Sequence, residues 1–195
     1  MRCVSPLLLA LLLSGCSAMT PPPPAQQQPA AAPAADAASE VAFRQSVTLL
    51  QQARYPQVVQ LLEPVRAAHP ELPGVLVNLA IAYIHLDRQD EARTALTQVL
   101  AKVPEHPTAL NWLAILSRRE GRFEEAEQLY QRLLDAHPDY ALGHLNLGIL
   151  CDLYLHRPQC ALEHYQRYQA LMPEQDQQVA QWIADLQRRL RGGEP

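Results

Sequence analysis

Side chains able to do chemistry are few and scattered in this 195-residue chain. The four cysteines are Cys3, Cys16, Cys151 and Cys160. The last two are not spaced as Cys-x-x-Cys, and no converging set of histidines or carboxylates accompanies them, so neither a redox pair nor a metal centre is expected. The seven histidines include no metalloprotease helix. His69, His106 and His137 lie next to prolines, at positions that read as helix ends, where the helix dipole favours a charged imidazole. A phosphate-binding glycine loop, a dinucleotide fingerprint and a nucleophile elbow are all missing. The sequence therefore reads as a non-enzyme without a cofactor or metal. With 16 Lys and Arg against 20 Asp and Glu, the formal charge is −4 and no basic block stands out, so nucleic acid is not an expected partner. Anionic lipopolysaccharide is not favoured either. What remains is the chemistry of holding a protein: amides, guanidinium groups and apolar side chains recurring at fixed intervals.

The ends say where such chemistry would be stationed. Met1-Arg2 is followed by an apolar run from Leu7 to Leu13 and then by Leu13-Ser14-Gly15-Cys16. A basic start, a short apolar stretch and small residues before a cut describe an export signal, far below the ~20 residues a membrane-crossing helix needs. The last four residues resemble the lipobox of bacterial lipoproteins, which implies removal of residues 1–15, lipidation of Cys16 and attachment to a membrane through that lipid. Ser17 follows in place of the aspartate associated with inner-membrane retention, so the outer membrane, facing the periplasm, is the expected destination. An ordinary secretory signal cut after Ala18 is the other reading and gives a soluble periplasmic protein. Residues 16–39 are rich in Pro, Ala and Gln and too poor in bulky apolar residues to offset their ordering entropy. At ~3.1 Å per residue in polyproline II, about 23 such residues reach roughly 70 Å. Residues 40–191 have the length of one domain with its own core.

That domain repeats itself every 34 residues. Asn78-Leu79-Ala80 recurs as Trp112-Leu113-Ala114 and as Asn146-Leu147-Gly148, and Pro70, Pro104 and Pro138 keep the same step. Ala161, Tyr165 and Pro173 continue it after a single inserted residue near His156. The pattern of Leu110, Leu113, Ala114, Gly121, Phe123, Ala126, Tyr130, Leu133 and Pro138 resembles the tetratricopeptide repeat. The resemblance implies an all-α solenoid of about four helix-turn-helix repeats, over 39–72, 73–106, 107–140 and 141–175, with a capping helix over 174–191 that carries Val179, Trp182, Ile183, Leu186 and Leu190. Proline ends each second helix, while Pro56 and Pro158 suit a first turn, where the missing amide is not needed. Ala80 with Ala92, Ala114 with Ala126 and Gly148 with Ala161 are the expected close contacts. Ser117 and Cys151 stand where an aromatic is usual, and Asp87 stands where a turn glycine is usual.

In such repeats the first helices line a groove. Carried over position by position, the groove would show Val77, Asn78, Ile81, Ile84 and His85, then Asn111, Trp112, Ile115, Arg118 and Arg119, then Leu142, Leu145, Asn146, Ile149 and Asp152, with Phe43, Val47 and Leu50 extending it. Ile81, Ile115 and Ile149 share one repeat position and form an apolar ladder, either exposed to a ligand or filling space between helices. The three asparagine amides are suited to a peptide backbone, and Arg118 and Arg119 to an acidic group. Cys151 and Cys160 fall on facing helices of the fourth unit, where an oxidising periplasm favours a disulfide and a reduced compartment a pair of buried thiols. The expected function is a non-catalytic scaffold or assembly factor for an envelope protein, similar to the pilotins or to adaptors of peptidoglycan hydrolases. A self-associating structural module in the periplasm, with a second copy of the chain filling the groove or covering the end helix, is the alternative.

Overall fold

The computed structural model describes residues 36–192, so the signal at 1–15, Cys16 and most of the 16–39 linker lie outside the described residues. Nine helices make up the described chain: α1 (Ala37–Gln51), α2 (Tyr55–Ala68), α3 (Pro73–His85), α4 (Gln89–Lys102), α5 (Pro107–Arg119), α6 (Phe123–Ala136), α7 (Ala141–Leu153), α8 (Pro158–Leu171) and α9 (Gln177–Gly192). The first helices α3, α5 and α7 begin 34 residues apart, each one residue after the previous unit's closing turn. Helix α1 starts inside the stretch read as linker, because the Asp36 carboxylate caps it by accepting from the Ser39 amide at 2.8 Å.

Punctuation follows the prolines and the turn residues. Helices α2, α4, α6 and α8 stop two residues before Pro70, Pro104, Pro138 and Pro173, and Pro56 and Pro158 occupy first turns. Each hairpin between first and second helix passes through one residue at positive φ: Ala53 at 55°, Asp87 at 59°, Gly121 at 77° and His156 at 52°. These share one repeat position, and only Gly121 adopts the left-handed region without a Cβ penalty.

Packing is sequential and one-sided. Every helix contacts its chain neighbours, and the backbones of α1, α3, α5 and α7 also approach one another in order, while those of α2, α4, α6 and α8 do not and are linked by a long side chain, as Arg93 on α4 is to Glu125 on α6. First helices lie closer together than second helices, so the stack curves toward the first-helix side. No first helix reaches one two units away among the described residues, which makes this an open solenoid and not a closed bundle. Two apolar clusters fill it, one from α1 to α5 and one from α5 to α9, with Leu100, Ile115 and Leu129 packed against both. Trp182 lies against Tyr165, with ring centroids 5.3 Å apart, and Val179 and Leu186 are buried, so α9 covers the end of the stack.

The departures from the aromatic position have local reasons. Tyr83 donates its hydroxyl to Glu63 on the preceding second helix. At Ser117 the small side chain leaves room for Arg93, which donates to Ser117 Oγ at 3.1 Å and pairs with Glu120 at 2.6 Å and Glu125 at 2.9 Å. At Cys151 the partner is Cys160, with Cα atoms 5.9 Å apart and the sulfurs bonded across the enlarged turn. At Gly148 the tightest neighbour is the Tyr165 ring, which a Cβ would meet at 2.6 Å. His106 corrects an expectation. It begins α5, its Nδ1 accepts from the Ala109 amide at 3.3 Å, and burial holds its pKa below the usual value, the reverse of a dipole-stabilised cation.

Candidate functional site

The inner face changes character along the stack. Helix α3, Pro-Gly-Val-Leu-Val-Asn-Leu-Ala-Ile-Ala-Tyr-Ile-His, is apolar on every side, and a helix of that kind is buried all round. Lying between α1 and α5 on one side and against α2 and α4 on the other, it hides Val77, Asn78, Ile81 and Ile84, each at most 9% exposed. Asn111 and Trp112 on α5 are buried as well. These six groove candidates, Val77, Asn78, Ile81, Ile84, Asn111 and Trp112, are therefore floor and not contact surface. Of the apolar ladder, Ile81 fills space between first helices while Ile115 and Ile149 remain half-exposed.

The amides are used internally. Asn78 donates to Ser46 Oγ at 2.9 Å, tying α3 to α1, and Asn146 donates to Asn111 Oδ1 at 3.0 Å, tying α7 to α5. Asn78 is thereby buried in the stack, while Asn146 keeps its Oδ1 and the buried Asn111 its Nδ2 without a bond. Arg119 is also engaged: it donates to the Ile84 carbonyl at 2.9 Å and lies 3.9 Å from Asp87. His85 is exposed at the end of α3, yet its ring stacks on Tyr55 at 4.1 Å and meets Trp112 edge-on at 6.0 Å. Desolvation and the nearby Arg119 charge lower its pKa, so it presents a neutral imidazole.

What stays open is the face of α5 and α7. Ile115, Leu142, Leu145, Asn146 and Ile149 are half-exposed, because α7 has a first-helix neighbour on one side only. Leu153, at 61%, is the most exposed large apolar residue described, and Tyr154 beside it leans on Phe123 with ring centroids 5.0 Å apart. Arg118 lies over the Tyr154 ring, 5.5 Å from its centroid. Asp152 is closed off by Arg189 of α9 at 2.9 Å. Tyr55, Tyr154 and Leu153 are the site residues that sequence reasoning missed. The one-residue insertion near His156 was the available signal for the Leu153-Tyr154 turn, since an enlarged turn projects side chains that a regular one would bury. Among the described residues no group of three or more His, Cys, Asp or Glu converges to hold a metal, and no helix is long and apolar enough to cross a membrane.

Comparison with known proteins agrees with this geometry. Tetratricopeptide-repeat family models match residues 77–141 and 49–101. Among solved structures, the chain is similar to pilF of Pseudomonas aeruginosa at TM-score 0.72 and 21% identity, over 80% of this chain and 71% of that one. It is also similar to a thermophilic tetratricopeptide-repeat protein of Thermus thermophilus, at TM-score 0.67 and 22% identity over 80% and 84% of the two chains. MamA aligns at TM-score 0.63 and 17% identity, over 76% and 84%. Such repeats act as protein-interaction scaffolds. Periodicity, open stacking and family match converge on one assignment: the chain carries tetratricopeptide repeats and has the all-α tetratricopeptide-repeat fold.

Proposed function

We propose that this protein is a non-catalytic scaffold that presents the α5–α7 face to a protein partner in the cell envelope, tethered to the outer membrane through a lipid on Cys16 and facing the periplasm. The observation that carries the binding reading is the half-exposed row of Ile115, Leu145 and Ile149 on an open stack, where the equivalent α3 positions, Val77 and Ile81, are buried. An apolar strip of this width, flanked by Arg118 and Leu153, suits one face of an amphipathic helix or an extended segment. The lipid reading is supported by Leu13-Ser14-Gly15-Cys16 directly after the apolar run. A pilotin-like or peptidoglycan-adaptor-like role fits a tethered, non-catalytic binding module. Self-association through the end of the stack has less support, because Gln177, Gln181, Arg188 and Arg191 make the exposed side of α9 polar.

Site-specific photocrosslinking in cells tests the face. A crosslinker at Ile149 is expected to capture one envelope protein, and one at Gln131 on α6 to capture none. Capture from Gln131 alone would refute the assignment. For the anchor, labelled fatty acid is expected to enter the wild-type chain and not Cys16→Ser. Light scattering of the intact chain in detergent should report one copy per micelle.

A further inference from the structure

Two histidines meet between α7 and α8. His144 Nδ1 and His164 Nδ1 are 3.0 Å apart, and the other His144 nitrogen, Nε2, holds its proton on the Pro138 carbonyl at 3.0 Å. That carbonyl bond fixes the tautomer. His144 turns a bare Nδ1 lone pair toward His164, as a metal-binding histidine does when its other nitrogen is held by a backbone acceptor. The ring centroids lie 5.3 Å apart, which is the nitrogen gap plus one ring radius on each side, so the two Nδ1 atoms face each other nearly in line. His144 is buried and His164 half-buried, and both line an open cleft of about 490 Å³ that Leu134 and Pro138 wall on the apolar side. On its rim Arg167 pairs with Asp139 at 2.6 Å, while the exposed Glu163 leaves a negative charge beside His164. The pair escapes a reading by spacing, because its members lie 20 residues apart on two helices.

Head-to-head nitrogens are the wrong shape for most ions. Zinc takes four ligands in a tetrahedron and copper(II) a square or tetragonal set, and both need lone pairs that converge at an angle. Among the described residues no third His, Cys, Asp or Glu joins the pair. A monovalent ion with a filled d shell is different: with two ligands it is linear, which is the arrangement these rings already have. We propose that His144 and His164 form a two-coordinate copper(I) site, the ion taking the place of the hydrogen that joins their Nδ1 atoms. With nitrogen–metal bonds of ~2 Å, the nitrogens must stand ~4 Å apart, roughly 1 Å more than now, and the open cleft gives His164 room for that movement. Protons balance without release. His144 already carries its proton on Nε2, and the His164 proton passes from Nδ1 to Nε2, which has no partner among the described residues. Both ligands are then neutral imidazoles, the complex carries the ion's single charge, and Glu163 on the rim offsets it.

The probe is copper(I), kept reduced by ascorbate under nitrogen, with zinc sulfate as the divalent control. In the isotope-labelled intact chain, the ring nitrogens of His144 and His164 are expected to respond saturably. At saturation His164 Nε2 should change from an acceptor-type to an N–H-type resonance, with no proton released to an unbuffered solution. Affinity, read by competition with a coloured copper(I) chelator, should fall about a hundredfold or more in His164→Gln. It should stay unchanged in His69→Gln, whose ring lies against Asp36. An unsaturable response, a His164 tautomer that does not change at saturation, or affinity undiminished in His164→Gln would each overturn the proposal. Tighter binding of zinc than of copper(I) would overturn it too, since a linear site has nothing to offer a tetrahedral ion. If His164→Gln does not fold, the wild-type tautomer change still decides, because a purely structural pair keeps its proton on Nδ1.

Discussion

Replacing Gly148 by alanine sets two well-characterised effects against each other. In the middle of α7, alanine is favoured over glycine by ~1 kcal/mol, since it has less backbone freedom to lose. Against that, its Cβ would stand 2.6 Å from Cδ1 and Cε1 of Tyr165. The ring would have to retreat by about 0.8 Å to restore ordinary contact. It has nowhere easy to go: Tyr165 is 2% exposed, Trp182 of α9 lies behind it, and the Cys151–Cys160 bond holds α7 and α8 together at one end. Overpacking of this kind costs ~1–3 kcal/mol, so after the propensity gain Gly148→Ala is expected to leave the C-terminal repeat between unchanged and ~2 kcal/mol less stable. The second unit supplies the control: Ala80 holds the repeat position of Gly148 and Leu96 that of Tyr165, whereas the third unit seats Ala114 and Tyr130 at the same two positions. In a Tyr165→Leu background, Gly148→Ala should therefore become stabilising by ~1 kcal/mol, the propensity gain alone. Urea unfolding read by circular dichroism and tryptophan fluorescence measures all four corners of this cycle. The reasoning is refuted if Gly148→Ala alone is stabilising by the full propensity gain, or if the coupling between the two sites is below ~0.5 kcal/mol.

Ala53→Gly should stabilise the first repeat by ~1 kcal/mol in thermal melts, because Ala53 sits at φ 55° in the turn position that Gly121 fills in the third unit. Replacing both Cys151 and Cys160 by alanine should lower stability by about 2–3 kcal/mol, the loop-closure effect for a short loop, and dithiothreitol should bring the wild type down toward the variant while leaving the variant unchanged. Arg93→Ala is expected to cost ~1–3 kcal/mol by leaving Glu120, Glu125 and Ser117 with fewer partners, with a smaller loss in Arg93→Ala/Glu120→Ala than the single changes add up to. Acid should weaken the α7–α8 junction. The His144 Nε2–H donates to the Pro138 carbonyl at 3.0 Å, so its Nδ1 accepts from the His164 Nδ1–H at 3.0 Å. Burial first and the His144 neighbour second lower the His164 pKa, with Glu163 opposing them. The unfolded chain thus binds the proton more readily: the contribution is full above the unfolded value near 6.5 and is lost as pH falls below it. Unfolding midpoints between pH 7.5 and 5.5 should show a shallower decline in His164→Gln than in the wild type.

Much of this architecture could be read directly from the residues. The 34-residue step located the starts of α3, α5 and α7, the prolines marked where second helices stop, and the apolar spacing of Val179, Ile183 and Leu186 pointed to α9. The inner face was harder. Position-by-position transfer placed Val77, Asn78 and Ile81 on open surface, although the unbroken apolar sequence of α3 already implied burial on every side. Asn78 and Asn146 were misread because an amide carries no mark of its partner in the sequence, and Ser46 and Asn111 come to them only through stacking. Ala53 and His156 are poor turn residues by type, so their left-handed conformation follows from Gly121 two units and one unit away. Tyr130 was correctly taken as core.

The asparagine links between consecutive first helices also bear on how a guest is received. Asn78 with Ser46 and Asn146 with Asn111 each close at one helix-to-helix distance. Spreading the repeats to admit a thicker segment would strip buried amides of their acceptors, at ~1–3 kcal/mol for each group left unsatisfied. The solenoid is therefore a stiff cradle and not a spring: its selectivity lies in which outlines fit the curvature it already has, and accommodation falls to the rotamers of Ile115, Leu145 and Ile149.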